Sequence, residues 1–143
     1  MKVKCIANTG EDLSEKTIAV GQLKTTEYDI NIEKIYTVYS MHMWKGILSY
    51  LLSDELNDWP FWYPAELFEV VDPLLPMEWY FSFNRYENKE PRNAIWGYKE
   101  MALDPQHRID LIERETEALE IFFKRKKEID EYEELSKFIP KKS

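Results

Sequence analysis

Trp59-Pro60-Phe61-Trp62-Tyr63-Pro64-Ala65-Glu66-Leu67-Phe68-Glu69-Val70-Val71-Asp72 is the stretch on which the fold turns. Its first half is an aromatic loop punctuated by Pro60 and Pro64, which cannot donate to a sheet ladder and hold the preceding residue extended. Its second half, Leu67 to Val71, suits a short apolar strand that Asp72-Pro73 ends. The two halves together read as the closing strand of a small β-barrel and the loop that leads into it.

Upstream, Val3, Cys5 and Ala7 alternate with Lys2 and Lys4, the period of a strand with one buried face. Asn8 to Asp12 is turn chemistry, and a polar connection follows, in which Thr17-Ile18-Ala19-Val20 is a possible short extended piece. Tyr28, Ile30 and Ile32 alternate with Asp29, Asn31 and Glu33, and the strand signal continues through Ile35 to Tyr39. Met41 to Trp44 and Ile47 to Leu52 form a hairpin about Lys45-Gly46, where glycine supplies the turn. Ser53 to Asp58 is then a loop with three carboxylates, Asp54, Glu55 and Asp58.

Tyr63-Pro64-Ala65-Glu66-Leu67-Phe68-Glu69-Val70 resembles the terminal Pro-x-x-aromatic-x-Val segment of SH3-like barrels, within the span Tyr28 to Asp72. The resemblance implies a short helical turn followed by the last barrel strand. The Ala-Leu-Tyr-Asp-Tyr opening of peptide-binding SH3 domains is absent, so the resemblance carries topology and not proline-rich ligand binding.

Downstream of the Pro73 to Pro76 link, Trp79, Phe81 and Phe83 alternate with Tyr80, Ser82 and Asn84, and Ile95 to Met101 is placed to pair with them as a hairpin. Asp104-Pro105 is a helix start, Asp as cap and Pro in the first turn. Leu111, Ile112, Ala118, Leu119, Phe122, Ile129 and Tyr132 recur at helical spacing up to about Phe138, before Pro140. One helix of about 30 residues would reach about 45 Å, so it either bends near Lys124 to Lys127 or projects. The expected fold is therefore α+β in one domain over 1–143: a small SH3-like bent β-barrel (1–72), a linker with an added β-hairpin (73–103), and a long C-terminal helix (104–143).

Composition narrows the functional classes. The 143 residues include 5 Trp, 9 Tyr and 7 Phe, enough large side chains for a core without disulfides. Cys5 stands alone and reads as a small buried hydrophobe. No long apolar run marks a signal peptide or membrane span, so a cytoplasmic protein with no membrane contact is expected. The chain carries 27 acids against 19 bases, a net of -8. Residues 1–103 hold 16 of those acids and 10 of the bases, so the barrel half has most of the excess. Such a field repels nucleic acid and favours a basic protein partner. The one basic run, Lys124 to Lys127, has acids four residues away along the helix and is read as a neutralised surface.

Chemistry-bearing motifs are sparse. Gly10, Gly21, Gly46 and Gly97 do not cluster into a phosphate loop. His42 and His107 lack companions at metal-ligand spacing, so no metal, cofactor or catalytic residue is assigned; His107 is expected at the surface and His42 in solvent or core. Asp54, Glu55 and Asp58 are the best carboxylate cluster; as a hydrolase pair they would make Asp54→Asn or Glu55→Gln inactive. As a binding edge they would meet basic side chains while Trp59, Trp62 and Tyr63 supply anchor area. In size and charge the chain is similar to small acidic bacterial immunity and antitoxin proteins, which implies a non-enzymatic stoichiometric blocker of a basic toxin, possibly a nuclease. An SH3-like adaptor for a peptide or host protein is the alternative.

Overall fold

A computed structural model describes residues 1–53, 59–84 and 92–137. The chain is mixed α+β, with two antiparallel sheets and four α-helices among the described residues, the last helix long. The first sheet has three strands in the order β2 (Ile35–Thr37), β1 (Lys2–Cys5), β6 (Phe68–Asp72). The second has five, in the order β5 (Phe61–Pro64), β4 (Ile47–Leu52), β3 (Ser40–Trp44), β8 (Arg92–Gly97), β7 (Tyr80–Phe83). Only Val38-Tyr39 separates β2 from β3, so the sheets share a corner there. No closed barrel joins them among the described residues.

The five-stranded sheet is the wall between two cores, and strand alternation divides its side chains between them. Tyr50 and Leu52 face β1 and β6 and pack with Val3, Cys5, Tyr36, Val38, Leu67 and Phe68. Leu51, between them, points the other way with Ile95 and Tyr39, toward Met101, Leu111, Leu119 and Phe122 of the helices. Cys5 is fully buried, as its strand position implies. The β3–β4 hairpin turns through Lys45 (φ 50°) and Gly46 (φ 80°), two left-handed residues whose twist matches that of the strands.

Several segments depart from the sequence expectation. Tyr28 to Ile32 is not a strand: pairing begins only at Ile35, after Glu33 takes φ 75°. Thr17 to Val20 is not extended, because Ser14 caps helix α1 (Glu15–Ala19) and accepts the Thr17 amide at 3.3 Å. Glu66 then clamps that helix to the 3₁₀ turn Ala65–Leu67 that precedes β6. It accepts from the Ser14 amide at 2.8 Å, the Ser14 hydroxyl at 3.0 Å, and the Thr17 hydroxyl. Burial opposes its ionisation, but these donors prevail and hold its carboxyl below the usual range.

The C-terminal half breaks earlier than expected. β8 stops at Gly97, and helix α2 (Lys99–Leu103) replaces the end of the expected strand. Asp104 caps α3 (Pro105–Ile112), accepting from the Gln106 amide at 3.0 Å, with Pro105 in the first turn. The helix ends when Arg114 adopts φ 61°, and α4 (Thr116–Ser136) starts afresh. The bend is thus at 113–115 and not at 124–127, and it leaves Ile112 58% exposed instead of in the buried stripe. His107 is buried, its Nε2 2.8 Å from the Tyr98 hydroxyl, and burial lowers its pKa. Among the described residues no helix is long and apolar enough to cross a membrane.

α4 is tied down by charge as well as apolar packing. Arg125 donates two parallel hydrogen bonds to Glu100, Nε to Oε1 and the second nitrogen to Oε2, both at 2.8 Å, and a third to Glu128 at 2.9 Å. Asp130 accepts from the Tyr39 hydroxyl at 2.7 Å and from Lys126 at 2.8 Å. The Arg125 guanidinium holds the Glu100 carboxyl at a pKa of about 2, below its ordinary 4.5. A depressed folded-state pKa stabilises fully above the unfolded value and loses its effect as pH falls from about 4.5 toward about 2. Glu100→Gln is therefore expected to cost about 1.5–3 kcal/mol near neutral pH and to flatten the acid limb of a stability-versus-pH curve in that window. An unchanged acid limb would show that the pair contributes no linkage.

Candidate functional site

β5 is an edge strand, paired on one side with β4, and its alternation sorts the aromatic residues that the sequence groups together. Trp62 pairs with Leu51 and shares its helix-side face, where it stacks on His42 with centroids 3.8 Å apart and planes at 23°. Tyr63 pairs with Tyr50 on the opposite face and meets Phe68 edge-on at 6.4 Å. Trp62 and Tyr63 therefore face opposite sides of β5, and Trp62 is half-buried against the helix-side core. Asp54, Glu55 and Asp58 lie outside the described residues.

The surface that does assemble contains Trp59, Phe61 and Tyr63. Phe61 and Tyr63 stand two apart on one face with rings at 6.4 Å, and Tyr28, from the long connection after β1, meets Tyr63 edge-on at 6.2 Å. Tyr28 is fixed by its hydroxyl, which donates to Gln22 at 2.6 Å. Asp29, Ile30, Tyr36 and Leu52 meet Trp59, Phe61 and Tyr63 around a crevice of only about 10 Å³, so the groove is a shallow surface feature and not a ligand pocket. Trp59 is 36% exposed and Phe61 42%, so both offer ring area to a partner.

Arg114 lies over this aromatic pair, its guanidinium carbon 4.4 Å from the Trp59 centroid and 4.8 Å from that of Phe61. Its left-handed backbone, fixed by the α3–α4 turn in which Glu115 donates to the Asp110 carbonyl at 2.9 Å, brings the side chain there. The stack is exposed, a setting in which cation–π attraction is worth about 0.5–1 kcal/mol. It orients the rings without hiding them. Sequence reasoning missed Phe61, Tyr28, Asp29 and Arg114. The Phe61/Tyr63 alternation was a usable signal for the first; Arg114 had none, because its position depends on how the helical half folds back.

The larger hollow lies elsewhere, a cleft of about 520 Å³ between Pro76–Tyr80 and α4. Its Arg125 is already committed to Glu100 and Glu128, which gives that residue a structural task. Among the described residues, no group of three or more His, Cys, Asp or Glu side chains is placed to hold a metal ion. The strongly shifted tyrosines, Tyr39 and Tyr98, are raised mainly by burial and belong to the helix-side core. The groove therefore offers ring area and one carboxylate, a chemistry of recognition. No protein family, curated protein or solved structure matches the chain.

Proposed function

We propose that this protein is a non-enzymatic, cytoplasmic, stoichiometric binding protein of the immunity or antitoxin class, which blocks a basic toxin domain through the aromatic groove on β5. The observation that carries the reading is the exposure of Phe61 on edge strand β5 and of Trp59 just before it, beside Tyr63 and Tyr28. Aromatic anchors of this kind dominate binding energy at protein interfaces. The net charge of -8 supplies long-range steering toward a basic partner. Asp29 in the groove, and Asp54, Glu55 and Asp58 just before Trp59 in sequence, are the acids we assign to the contact.

The adaptor reading has its own support. The strand order β1, β2–β3, β4, β5, a 3₁₀ turn and β6, with β6 returning beside β1, is what an SH3-like domain requires, and we infer that residues 1–72 are SH3-like in topology. The groove lies between the connection after β1, which supplies Asp29 and Ile30, and β5, and its exposed rings suit a peptide.

Affinity capture from a native lysate, followed by reconstitution with the recovered partner, separates the two. The immunity reading expects one basic protein at equal stoichiometry, with toxicity neutralised and an association rate that falls as salt rises. Phe61→Ala is expected to weaken that complex at least about 10-fold. Several weak, salt-insensitive partners would favour the adaptor. A tight complex indifferent to Phe61→Ala would remove the groove from the account.

A further inference from the structure

The turn between α3 and α4 holds an arginine where a glycine is usual. α3 closes with two hydrogen bonds, from the Arg114 amide to the Leu111 carbonyl at 3.2 Å and from the Glu115 amide to the Asp110 carbonyl at 2.9 Å. That pattern sets one residue in the left-handed region, and glycine takes the place most often because it has no Cβ. Arg114 takes it here with φ 61°, against the steric penalty of its Cβ. The backbone gains nothing from the arginine, so the position is held for its side chain.

That side chain passes over the carboxylates nearest to it in sequence. Glu113 and Glu115 flank Arg114 and are exposed, yet among the described residues its guanidinium forms no ion pair. One guanidinium instead touches two rings, with its carbon 4.4 Å from the Trp59 centroid and 4.8 Å from that of Phe61. Asp29 lines the same crevice, is exposed, and has no hydrogen-bond or ion-pair partner among the described residues.

We propose that Trp59, Phe61 and Asp29 form the site for an arginine side chain of a basic protein partner, and that Arg114 holds the ring faces in the free protein and gives way to it. The proposal rests on the groove reading above and names what the groove takes. Aromatic faces attract a cation, and a guanidinium adds a flat surface that stacks on them and sheds water more readily than an ammonium. Arg114 shows the fit but holds it weakly, because the stack is exposed and no carboxylate fixes its outer edge. An incoming arginine gains the same stack where its own chain excludes water, a setting in which cation–π attraction strengthens. It also donates to Asp29, which Arg114 does not. The net charge of -8 favours a cation over an anion at this surface. Once displaced, Arg114 enters solvent at an exposed turn and keeps its hydration. Arg114 is thus a built-in competitor that covers the rings until a partner brings its own guanidinium.

Nuclear magnetic resonance titration of the full chain tests this with a blocked pentapeptide of glycine and serine around one arginine, and with its citrulline counterpart, which has the shape without the charge. The readout is the indole N–H signal of Trp59, identified by its loss in Trp59→Phe. A saturable shift is expected with the arginine peptide and none with citrulline. Arg114→Gly suits the left-handed backbone and removes the competitor, so it is expected to keep the thermal midpoint and tighten peptide binding about 3-fold or more. Asp29→Asn is expected to weaken it about 3-fold or more. No shift with the arginine peptide, an equal shift with citrulline, or an Arg114→Gly variant that binds no tighter overturns the proposal. In a reconstituted complex the two readings separate: weakening by Phe61→Ala without tightening by Arg114→Gly overturns the exchange and leaves the groove standing.

Discussion

Phe122→Ala is expected to lower the free energy of unfolding by about 3–5 kcal/mol, the range for deleting a buried aromatic ring. Phe122 is fully buried at the centre of the helix-side core. It meets Tyr39 of the sheet edge-on at 5.7 Å and Tyr98, ahead of α2, at 6.3 Å. Those two rings cannot follow it into the space it leaves. The Tyr39 hydroxyl is bonded to Asp130 and that of Tyr98 to His107, so collapse would break buried hydrogen bonds. A domain of this size is stable by about 5–15 kcal/mol, and the loss takes a large part of that. Urea denaturation gives the value from the midpoint at constant slope. Phe123→Ala is the internal control: Phe123 is 39% exposed, and its loss should cost far less. Equal costs for the two would mean that α4 does not hold the sheet through Phe122.

The second large effect is expected at the junction of β3 and β8. Gly97 lies directly opposite Ser40, and a Cβ there would stand 2.3 Å from the Ser40 hydroxyl oxygen and 2.9 Å from its Cβ. Facing Cβ atoms in a sheet ordinarily keep about 4.5–5.5 Å. Gly97→Ala must therefore push apart the strands that carry the hairpin, or expel the Ser40 hydroxyl from its 2.8 Å bond to the Trp96 carbonyl. Overpacking of this kind costs about 1–3 kcal/mol. A double-mutant cycle with Ser40→Gly isolates the clash, since Gly97→Ala in that background meets no opposing Cβ. The alanine should then be nearly neutral, and the coupling should carry the sign of relief. Additive costs would place the strain somewhere other than this pair.

The acid behaviour follows from three groups that act in the same direction. Burial lowers the pKa of His107, Arg125 lowers that of Glu100, and, against its burial, the Thr17 and Ser14 donors lower that of Glu66. Each is a group whose proton is held less tightly in the folded state, so each withdraws stability as pH falls. His107 acts below its ordinary 6.5, and Glu100 from about 4.5 down to about 2. His107 and Glu100 stand where α2, α3 and α4 meet and Glu66 beside Leu67, so acid should loosen the helical half first, through His107 below pH 6.5, and act on the carboxylates of both halves only below about 4.5.

Local chemistry settled much of this protein in the sequence alone. Alternation marked Val3 and Cys5 as inward on the first strand. Lys45-Gly46 marked the hairpin, Asp104-Pro105 the start of a helix, and Leu67 to Val71 a short strand before Asp72-Pro73. Each depends on the preferences of a few consecutive residues, which the chain carries with it. Long-range packing decided the rest. Ser14 to Ala19 has a helix cap in its sequence, but Glu66, 52 residues from Ser14, stabilises the helix. His107 looks like a surface residue in the first turn of a helix and is buried only because that helix folds onto Tyr98. Trp62 and Tyr63 are neighbours in sequence and part company in space, since a paired strand sends them to opposite faces, one into each core. The groove belongs to Trp59, Phe61 and Tyr63, with Tyr28 from another loop and Arg114 from a turn between two helices. No periodicity in the sequence links those residues, because what brings them together is the burial of two cores against one sheet.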